Sequence, residues 1–262
     1  MFRNFFILPQ IRWRCLTIWQ RNFRVWRKLI IPSLLLNFGE PFLYLLGMGY
    51  GLGRFVGEIQ GLPYLTFLAS GVVVSSAMTT ASFEGMYSVF TRMVPQRTHP
   101  AMLSAPISVD DIIAGELLWC ASKATISGCA ILLVASLLGA VVGGWHAVLV
   151  IPVIFLVGLA FAGPAITMTT FSKSYDFFNY YFTLVITPMF MLCGVFYPIS
   201  SLPVAMQYIV QALPLTHAVA LSRPLIAGLE PTNVLLHIVV LFAYALVGYY
   251  LAVTLGRRRL IN

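Results

Sequence analysis

The stretch GVFYPISSLP, residues 194–203, interrupts a long apolar region with two prolines. Pro214, Pro224 and Pro231 follow in the same region. The pieces between these prolines are too short to cross a bilayer, because a helical span takes about 20 apolar residues. Backbone that dips into a membrane and returns persists only where it packs on protein or lines a cavity. We therefore predict that residues 198–230 form two short re-entrant helices in the outer half of the membrane.

The sequence on either side of this stretch predicts membrane spans. The chain of 262 residues is 60% hydrophobic and only 9% charged, whereas a soluble domain carries about 25% charged residues. Six apolar runs are long enough to cross the hydrocarbon, namely residues 29–50, 64–86, 112–141, 147–171, 180–197 and 233–256. We predict an all-α membrane protein with six transmembrane helices, forming a single transmembrane domain over residues 1–262.

Lysine and arginine orient the spans, because these residues concentrate in cytoplasmic segments. With both termini in the cytoplasm, only Arg54 and Arg223 fall in outer segments, and Lys123 lies within a span. All other cations then fall inside: Arg3, Arg12, Arg14, Arg21, Arg24, Arg27, Lys28, Arg92, Arg97, Lys173, Arg257, Arg258 and Arg259. This bias supports an even number of crossings. It also explains the net charge of +8 without a nucleic-acid partner.

The segment before the first span, PQIRWRCLTIWQRNFRVWRKLI (9–30), has helical periodicity. Apolar residues recur at spacings of three and four at Leu16, Trp19, Phe23, Trp26 and Ile30, and mostly basic residues recur on the opposite side. This pattern predicts an amphipathic helix over residues 9–28 that lies in the membrane interface, with its cations on the lipid headgroups. The periodicity is compatible with a passive anchor and with a lever that links the membrane domain to a cytoplasmic partner.

Two ionisable residues fall inside predicted spans. Glu40 and Lys123 each lie about eleven residues into helices that run in the same direction, so we expect them at similar depth. An isolated charge at mid-membrane costs about 2.5–3.5 kcal/mol on insertion scales. We predict that Glu40 pairs with Lys123, either to hold two helices together or to line the transport path. Glu84 and Glu116 lie near span ends, where we expect contact with water.

Motifs that would give the chain its own chemistry are absent. The sequence has no G-x-x-x-x-G-K-[ST], H-E-x-x-H or G-x-S-x-G motif, which respectively bind phosphate, bind zinc and carry a nucleophile. The histidines His99, His146, His217 and His237 are scattered over different segments. We therefore expect no catalytic residue, no metal site and no cofactor bound by this chain.

The longest cytoplasmic connection is VFTRMVPQRTHPAMLSAPISVDDI, residues 89–112. Its three prolines bound short helical pieces, and Ser108 with Asp110 and Asp111 suits the start of the next helix. Because nothing in the chain supplies energy for translocation, we expect this loop to dock an energy-supplying partner. The competing interpretation is an ordinary polar loop.

Residues 194–223 resemble the C-terminal signature of ABC type-2 export permeases. In that family a span ends in Gly-x-Phe-x-Pro, and Leu-Pro, a second Pro-apolar-x-His and an Arg follow. The matching residues are Gly194, Phe196, Pro198, Leu202, Pro203, Pro214, Leu215, His217 and Arg223. The stretch MLSAPISVDDIIAGE (102–116) is similar to the coupling region of the family. SYDFFNYYFTLVITPMF (174–190) and LGRRRLI (255–261) resemble permeases implicated in exporting lipid-modified chitin oligosaccharides.

The resemblance implies a permease of the bacterial inner membrane that works as a homodimer with two separate ABC ATPase subunits, which bind ATP and Mg. A coupling loop at residues 92–106 would seat in an ATPase groove, with Arg92, Gln96, Arg97, His99 and Pro106 as candidate contacts. The outer gate would use Gly194, Phe196, Pro198, Pro203, Pro214, His217 and Arg223. Tyr44, Tyr180, Tyr181 and Phe182 are candidates to contact a glycolipid cargo, although the last three also suit an aromatic belt at the membrane boundary.

Three other functions stay open on the sequence. The permease could export drugs or other hydrophobic small molecules instead of a lipo-oligosaccharide. An ion-coupled carrier could use Glu40 and Lys123 on its ion path. A membrane-embedded transferase could use His217 or His99, but no acid–base set accompanies them.

Overall fold

A computed structural model of the protein describes residues 8–261, apart from the side chains of residues 29, 33–38, 40 and 261. In chain order the helices are α1 (Cys15–Trp26), α2 (Ile30–Leu43), α3 (Tyr64–Phe83), α4 (Thr98–Met102), α5 (Val109–Leu137), α6 (Val150–Phe171), α7 (Asp176–Tyr181), α8 (Val204–Gln211), α9 (Pro214–Ala227) and α10 (Val234–Ile261). Within the described part of the chain, the only strands are β1 (Glu58–Ile59) and β2 (Leu62–Pro63), an antiparallel pair. The fold is therefore all-α, as predicted.

Wider, π-type turns extend three helices. α2 continues through Tyr44–Leu52 and Gly53–Val56, α3 through Glu84–Ser88 and Val89–Met93, and α7 through Phe182–Ile186 and Thr187–Leu192. Such turns often occur at functional sites, because they redirect side chains without ending the helix.

Four helical segments are long and apolar enough to cross a membrane: Tyr64–Met93, Val109–Leu137, Gly144–Phe171 and Val234–Leu260. They correspond to the predicted spans 64–86, 112–141, 147–171 and 233–256. A fifth candidate arises only if α8 and α9, bent by 87°, count as one span. The predicted spans 29–50 and 180–197 fall on α2 and α7, which are not among these candidates. The described residues thus form a multi-pass membrane protein with four or five candidate spans.

The α6 helix lies at the centre of the bundle and packs against α3, α5 and α10. It crosses α10 at a pair of glycines, one from each helix. A Cβ atom on Gly163 would lie 2.7 Å from the Cα of Gly248, closer than real Cβ atoms come. Small residues at such crossings let helices approach closely in lipid, where packing rather than the hydrophobic effect holds them together.

The bundle has two distinct ends, which we call the α1 end and the α9 end. At the α1 end, Asp110 accepts a hydrogen bond from the backbone N–H of Gln10 at 2.9 Å and one from Arg257 Nε at 2.8 Å. At the α9 end, the N–H of Gly143 donates to the carbonyl of Ile226 at 2.8 Å. The two ends of the described chain therefore meet at the α1 end.

The segment 198–230 contains the two predicted short helices. Pro203 precedes α8, and Pro214 occupies the first turn of α9, where its missing N–H is tolerated. Pro224 lies inside α9 and does not end it, so only Pro203 and Pro214 mark the starts of the two helices. The two helices also differ: α9 is largely buried against α3, α6 and α10, whereas α8 is mostly exposed.

The α1 helix begins at Cys15, later than the predicted start at residue 9. Its buried residues are Cys15, Ile18, Asn22 and Trp26, and Cys15 and Ile18 pack on Gly115 of α5. Leu16 and Phe23 stay exposed, so part of the predicted aromatic face is free for lipid. The helix thus has a protein-facing side that the simple two-face pattern did not predict.

Candidate functional site

A cluster of charged side chains is buried at the α1 end of the bundle. It comprises Glu84 and Arg92 in the extended α3, His99 in α4, and Glu116 and Lys123 in α5. We call these five residues the ion network. Glu84 is 2% exposed and Glu116 is 0% exposed, so the expectation that both carboxylates contact water is wrong. Each is paired with a cation inside the protein.

Arg92 joins the two carboxylates. Its Nη2 lies 2.7 Å from Glu116 Oε2 and 3.2 Å from Glu84 Oε1, and its Nε donates to Glu116 Oε1 at 3.0 Å. The contact with Glu116 is therefore bidentate, which fixes the orientation of both groups. This pairing locks the end of α3 to α5.

His99 brings the short helix α4 into the network. Its Nε2 lies 2.9 Å from Glu116 Oε1, and the side chain is fully buried. The backbone of Arg97, directly before α4, is left-handed with φ of +50°, an uncommon conformation for a residue other than glycine. The loop is thus held in a defined shape. Gln96, Arg97 and Pro106 stay exposed, whereas Arg92 and His99 lie behind that surface.

The α1 helix connects to the same network. Asn22 Nδ2 donates to Glu116 Oε2 at 2.9 Å, and Trp19 Nε1 donates to Ser122 Oγ at 2.9 Å. Arg14 donates to the backbone carbonyl of Pro106 in the loop. Glu116 therefore links α1, α3, α4 and α5 through one carboxylate.

Lys123 pairs with Glu84, with Nζ and Oε2 2.7 Å apart. Trp119 Nε1 donates to the other oxygen of Glu84 at 2.9 Å. Glu40 lies in α2, but its side chain is outside the described residues. The Glu40–Lys123 pair therefore stays a prediction, and the observed partner of Lys123 is a residue that sequence reasoning assigned to water.

A cavity of about 500 Å³ lies between α2, α3, α5 and α7. One wall carries hydroxyl groups on α3, from Ser75, Ser76, Thr79 and Thr80. Aromatic rings form much of the remaining surface: Tyr44, Phe83, Tyr87, Phe182 and Phe190. Lys123 and Asn179 add polar groups. The cavity is thus amphipathic, and the Lys123 end of the ion network forms part of its lining.

Only some of the predicted cargo contacts line this cavity. Tyr44, Phe182 and Lys123 do. Tyr180 is 67% exposed and Tyr181 is 8% exposed, and neither belongs to the lining. The hydroxyl groups of α3 were not predicted, because serine and threonine in an apolar run carry no signal of a cavity on their own.

An aromatic cluster lies on the α9 side of the cavity. The ring centroids of Tyr44 and Phe190 are 5.3 Å apart, those of Phe190 and Phe196 are 4.8 Å apart, and those of Tyr44 and Phe196 are 5.7 Å apart. All three pairs pack edge to face, the geometry that aromatic rings prefer. Tyr44 of the extended α2 therefore meets the end of the extended α7 and the turn that follows it.

Arg223 holds the predicted outer segment to α3. Its Nε donates to Ser70 Oγ at 3.1 Å, and its Nη2 donates to the carbonyls of Gly194 at 2.6 Å and Phe67 at 3.3 Å. The guanidinium also lies 3.6 Å from the centroid of the Phe67 ring. Gly194, at φ of +82°, forms the left-handed turn that follows the extended α7. Arg223 and Gly194, which the family pattern pairs only by spacing, are thus in direct contact.

The remaining residues of the outer segment have separate positions. Pro198 precedes a short turn at Ile199–Ser201, and Pro203 and Pro214 precede α8 and open α9. His217 Nε2 donates to the carbonyl of Gln211, and its Nδ1 lies 2.8 Å from Nδ1 of His237. The sequence analysis placed these two histidines on separate segments, and the fold brings them together. Within the described residues, no group of three metal-binding side chains forms.

A bundle of apolar helices around an amphipathic cavity, with buried charges leading to an exposed loop, defines a membrane transport protein. The chain belongs to the ABC-2 type transporter family, which it matches over residues 14–227. As a permease of this family, it is a transport subunit without a catalytic site of its own.

Several relatives support this assignment over nearly the whole chain. The protein is 43% identical to nodulation protein J of Rhizobium meliloti (strain 1021) over 97% of each chain. It is 45% identical to nodulation protein J of Rhizobium leguminosarum bv. viciae over 94% of this chain and 95% of the relative. The inner membrane transport permease YadH of Escherichia coli (strain K12) is 26% identical over 88% of each chain. No solved structure matches the chain significantly.

Proposed function

We propose that this permease exports an amphipathic, lipid-linked or lipo-oligosaccharide cargo across the bacterial inner membrane. Two copies would form a homodimer with both termini of each in the cytoplasm, and each copy would cross the membrane six times, with α2 and α7 added to the four candidate spans. Two separate ABC ATPase subunits would bind ATP and Mg. The observation that carries the proposal is the ion network, because it runs from the exposed loop to the cavity wall.

The network offers a path for mechanical coupling. An ATPase that binds the exposed residues Gln96, Arg97 and Pro106 would displace α4 as a rigid body. His99 would then pull on Glu116, and Arg92 and Glu84 would carry the displacement to Lys123 in the cavity lining. Arg92 and His99 act in this scheme as transmitting residues behind the docking surface. Buried, bidentate charge pairs hold their geometry. A small displacement of the loop would therefore move the residues that line the cavity by a similar distance.

The cavity supports a cargo with both sugar and acyl parts. Hydroxyl groups and amides can pair with sugar hydroxyls, while aromatic faces cover apolar surface and pack on sugar rings. This chemistry agrees with the resemblance to permeases implicated in exporting lipid-modified chitin oligosaccharides. The aromatic surface also suits hydrophobic drugs, which are the second candidate cargo. Stimulation of ATP turnover by a panel of lipo-oligosaccharides, lipid-linked sugars and uncharged drugs separates the two.

The outer end of the path is proposed to lie at the α9 end. The cluster of Tyr44, Phe190 and Phe196 closes the cavity on that side, and Arg223 fixes the turn at Gly194 that carries Phe196. Opening would require the three rings to separate while α8 and α9 move with that turn. Residues 198–230 would then form a re-entrant lid rather than a crossing.

Weakening the docking surface is expected to uncouple ATP turnover from transport. Arg97→Asn removes the charge, and asparagine tolerates the left-handed backbone at this position. Pro106→Ala removes the proline ring and leaves the carbonyl that Arg14 contacts. We expect each variant, assembled with the ATPase and reconstituted, to lose about tenfold in cargo transported per ATP hydrolysed. Arg54→Ala, an exposed arginine at the other end of the bundle, is the control. Unchanged coupling in both loop variants would contradict the docking assignment.

Truncating an aromatic ring of the cavity is expected to weaken cargo stimulation of the ATPase. Phe182→Ala should raise the half-stimulating cargo concentration about tenfold, because burying such a ring is worth about 1.5–3 kcal/mol. Tyr180→Ala is a matched control, since Tyr180 lies two residues away and is 67% exposed. Equal shifts in the two variants would show that the ring contributes through the membrane boundary and not through the cavity.

A further inference from the structure

A second cavity, of about 380 Å³, lies between α1 and the ends of α3 and α5. Arg21, Arg92 and Lys123 line it together with one carboxylate, Glu84. Counting Glu116, which pairs with Arg92 behind the lining, three cations face two carboxylates. We propose that this interface cavity binds the phosphate-bearing headgroup of an anionic membrane lipid, with Arg21 as its principal contact.

Arg21 carries the excess charge of the cavity. Its Nη1 donates to Asn22 Oδ1 at 3.0 Å, and within the described residues no carboxylate lies in ion-pair contact with it. Partial burial lowers the pKa of the Arg21 guanidinium by desolvation, and attraction to Glu116 offsets only part of this effect. A phosphate can accept two parallel hydrogen bonds from such a fork.

Arg92 and Lys123 each have a further N–H donor that can bind the same phosphate. Arg92 uses Nε and Nη2 for its carboxylates, and among the described residues its Nη1 has no acceptor. Lys123 directs one N–H to Glu84, and an ammonium has three. A phosphate in the cavity would thus be shared by three cations from three helices.

The apolar part of the lining favours a lipid over a free anion. Val25 and Trp26 of α1 and Pro32 of α2 form one side of the cavity. Phe23 of the same helix is exposed, and its ring packs on Trp26 and Trp119 of the lining, so apolar surface adjoins the charged site. A headgroup with attached acyl chains satisfies both surfaces, whereas inorganic phosphate satisfies only the cations. This arrangement is independent of which cargo the permease moves.

The experiment uses the full chain in detergent without the ATPase, so its outcome does not depend on the transport proposal. Binding of a fluorescent phosphatidylglycerol is compared with binding of the same label on phosphatidylcholine. We expect Arg21→Gln to weaken phosphatidylglycerol binding about tenfold and to leave phosphatidylcholine binding unchanged. Arg24→Gln, an exposed cation on the same helix that does not line the cavity, is the matched control.

Two further arms keep the proposal falsifiable. Arg21→Lys retains the charge and should restore part of the preference, which a purely structural role of Arg21 would not predict. Inorganic phosphate is added as a competitor to separate the two sources of the anion. Competition by phosphate as effective as that by unlabelled lipid would overturn the lipid assignment. Equal phosphatidylglycerol preference in the Arg21→Gln and unmodified chains would overturn the site.

Discussion

Replacing Glu116 with glutamine is expected to lower the free energy of unfolding in detergent by about 3 kcal/mol, near the lower end of the range for breaking a buried ion pair. The substitution leaves Arg92 with Glu84 as its remaining carboxylate and removes the charged acceptor of His99 and Asn22. Because one carboxylate joins α1, α3, α4 and α5, its loss loosens four elements at once. Thermal or denaturant unfolding of the purified chain measures the effect.

The same variant should also uncouple the transporter more severely than any loop substitution. If displacement of α4 reaches the cavity through His99 and Glu116, the variant retains ATP turnover in the assembled complex and loses most cargo transport. Glu58→Gln, which changes an exposed carboxylate in the β1–β2 hairpin, should alter neither property. A double-mutant cycle with His99→Gln then tests the pathway, since residues acting through one contact give non-additive losses. Additive losses would contradict transmission through this pair.

The long apolar helices could be predicted from the sequence because crossing a bilayer imposes a length and a composition. The predicted spans 112–141 and 147–171 differ from α5 and α6 by only a few residues. Capping residues sharpen such boundaries: Ser108 and Asp111 form a reciprocal capping box at the start of α5. The start of α1 was predicted less well: the predicted helix began at residue 9, whereas the apolar repeat begins only at Leu16 and the helix at Cys15.

The ion network could not be predicted in the same way. A carboxylate at a span end is ordinarily solvated, and only the tertiary fold places Arg92 and His99 against Glu116. The sequence signal that points to burial is the coincidence of Glu84, Glu116 and Lys123 inside apolar segments that have few other charges. Intramembrane charges are costly and therefore tend to be paired, but the sequence does not identify the partner. The pairing of Lys123 with Glu84 illustrates this limit, because depth alone suggested Glu40.

The outer segment differs from the ion network, because the sequence pointed to individual residues there. The resemblance to the family signature singled out Gly194 and Arg223, and the structure supplies a physical reason for both. A left-handed turn after α7 favours glycine, and the carbonyl of that turn accepts the shortest of the Arg223 hydrogen bonds. The difference in burial between α8 and α9 was not predicted, because both sequences are apolar. Only the packing of the fold distinguishes the buried helix from the exposed one.

Replacing Arg223 with alanine is expected to destabilise the α9 end by about 3 kcal/mol. Hydrogen bonds to a charged group contribute about 1.5–3 kcal/mol each, and a desolvated cation–π contact adds up to about 2 kcal/mol. The variant leaves the Gly194 carbonyl without this donor and frees the turn that carries Phe196. Unfolding in detergent measures the loss, with Arg54→Ala as the control for removing an arginine near the same end of the bundle.

Leak and transport measurements on the same variant distinguish a moving gate from a static seal at the α9 end. If Arg223 holds the closed arrangement of Tyr44, Phe190 and Phe196, Arg223→Ala should let a small polar dye cross vesicles that contain the permease in the absence of ATP. Arg223→Lys keeps the charge but cannot reach Ser70 and Gly194 together, so an intermediate leak is expected. Vesicles that stay tight with a normal transport rate would exclude Arg223 from gating. Tight vesicles with abolished transport would instead indicate that α9 must move as one body with α3, since the contacts of Arg223 strengthen the packing between these two helices.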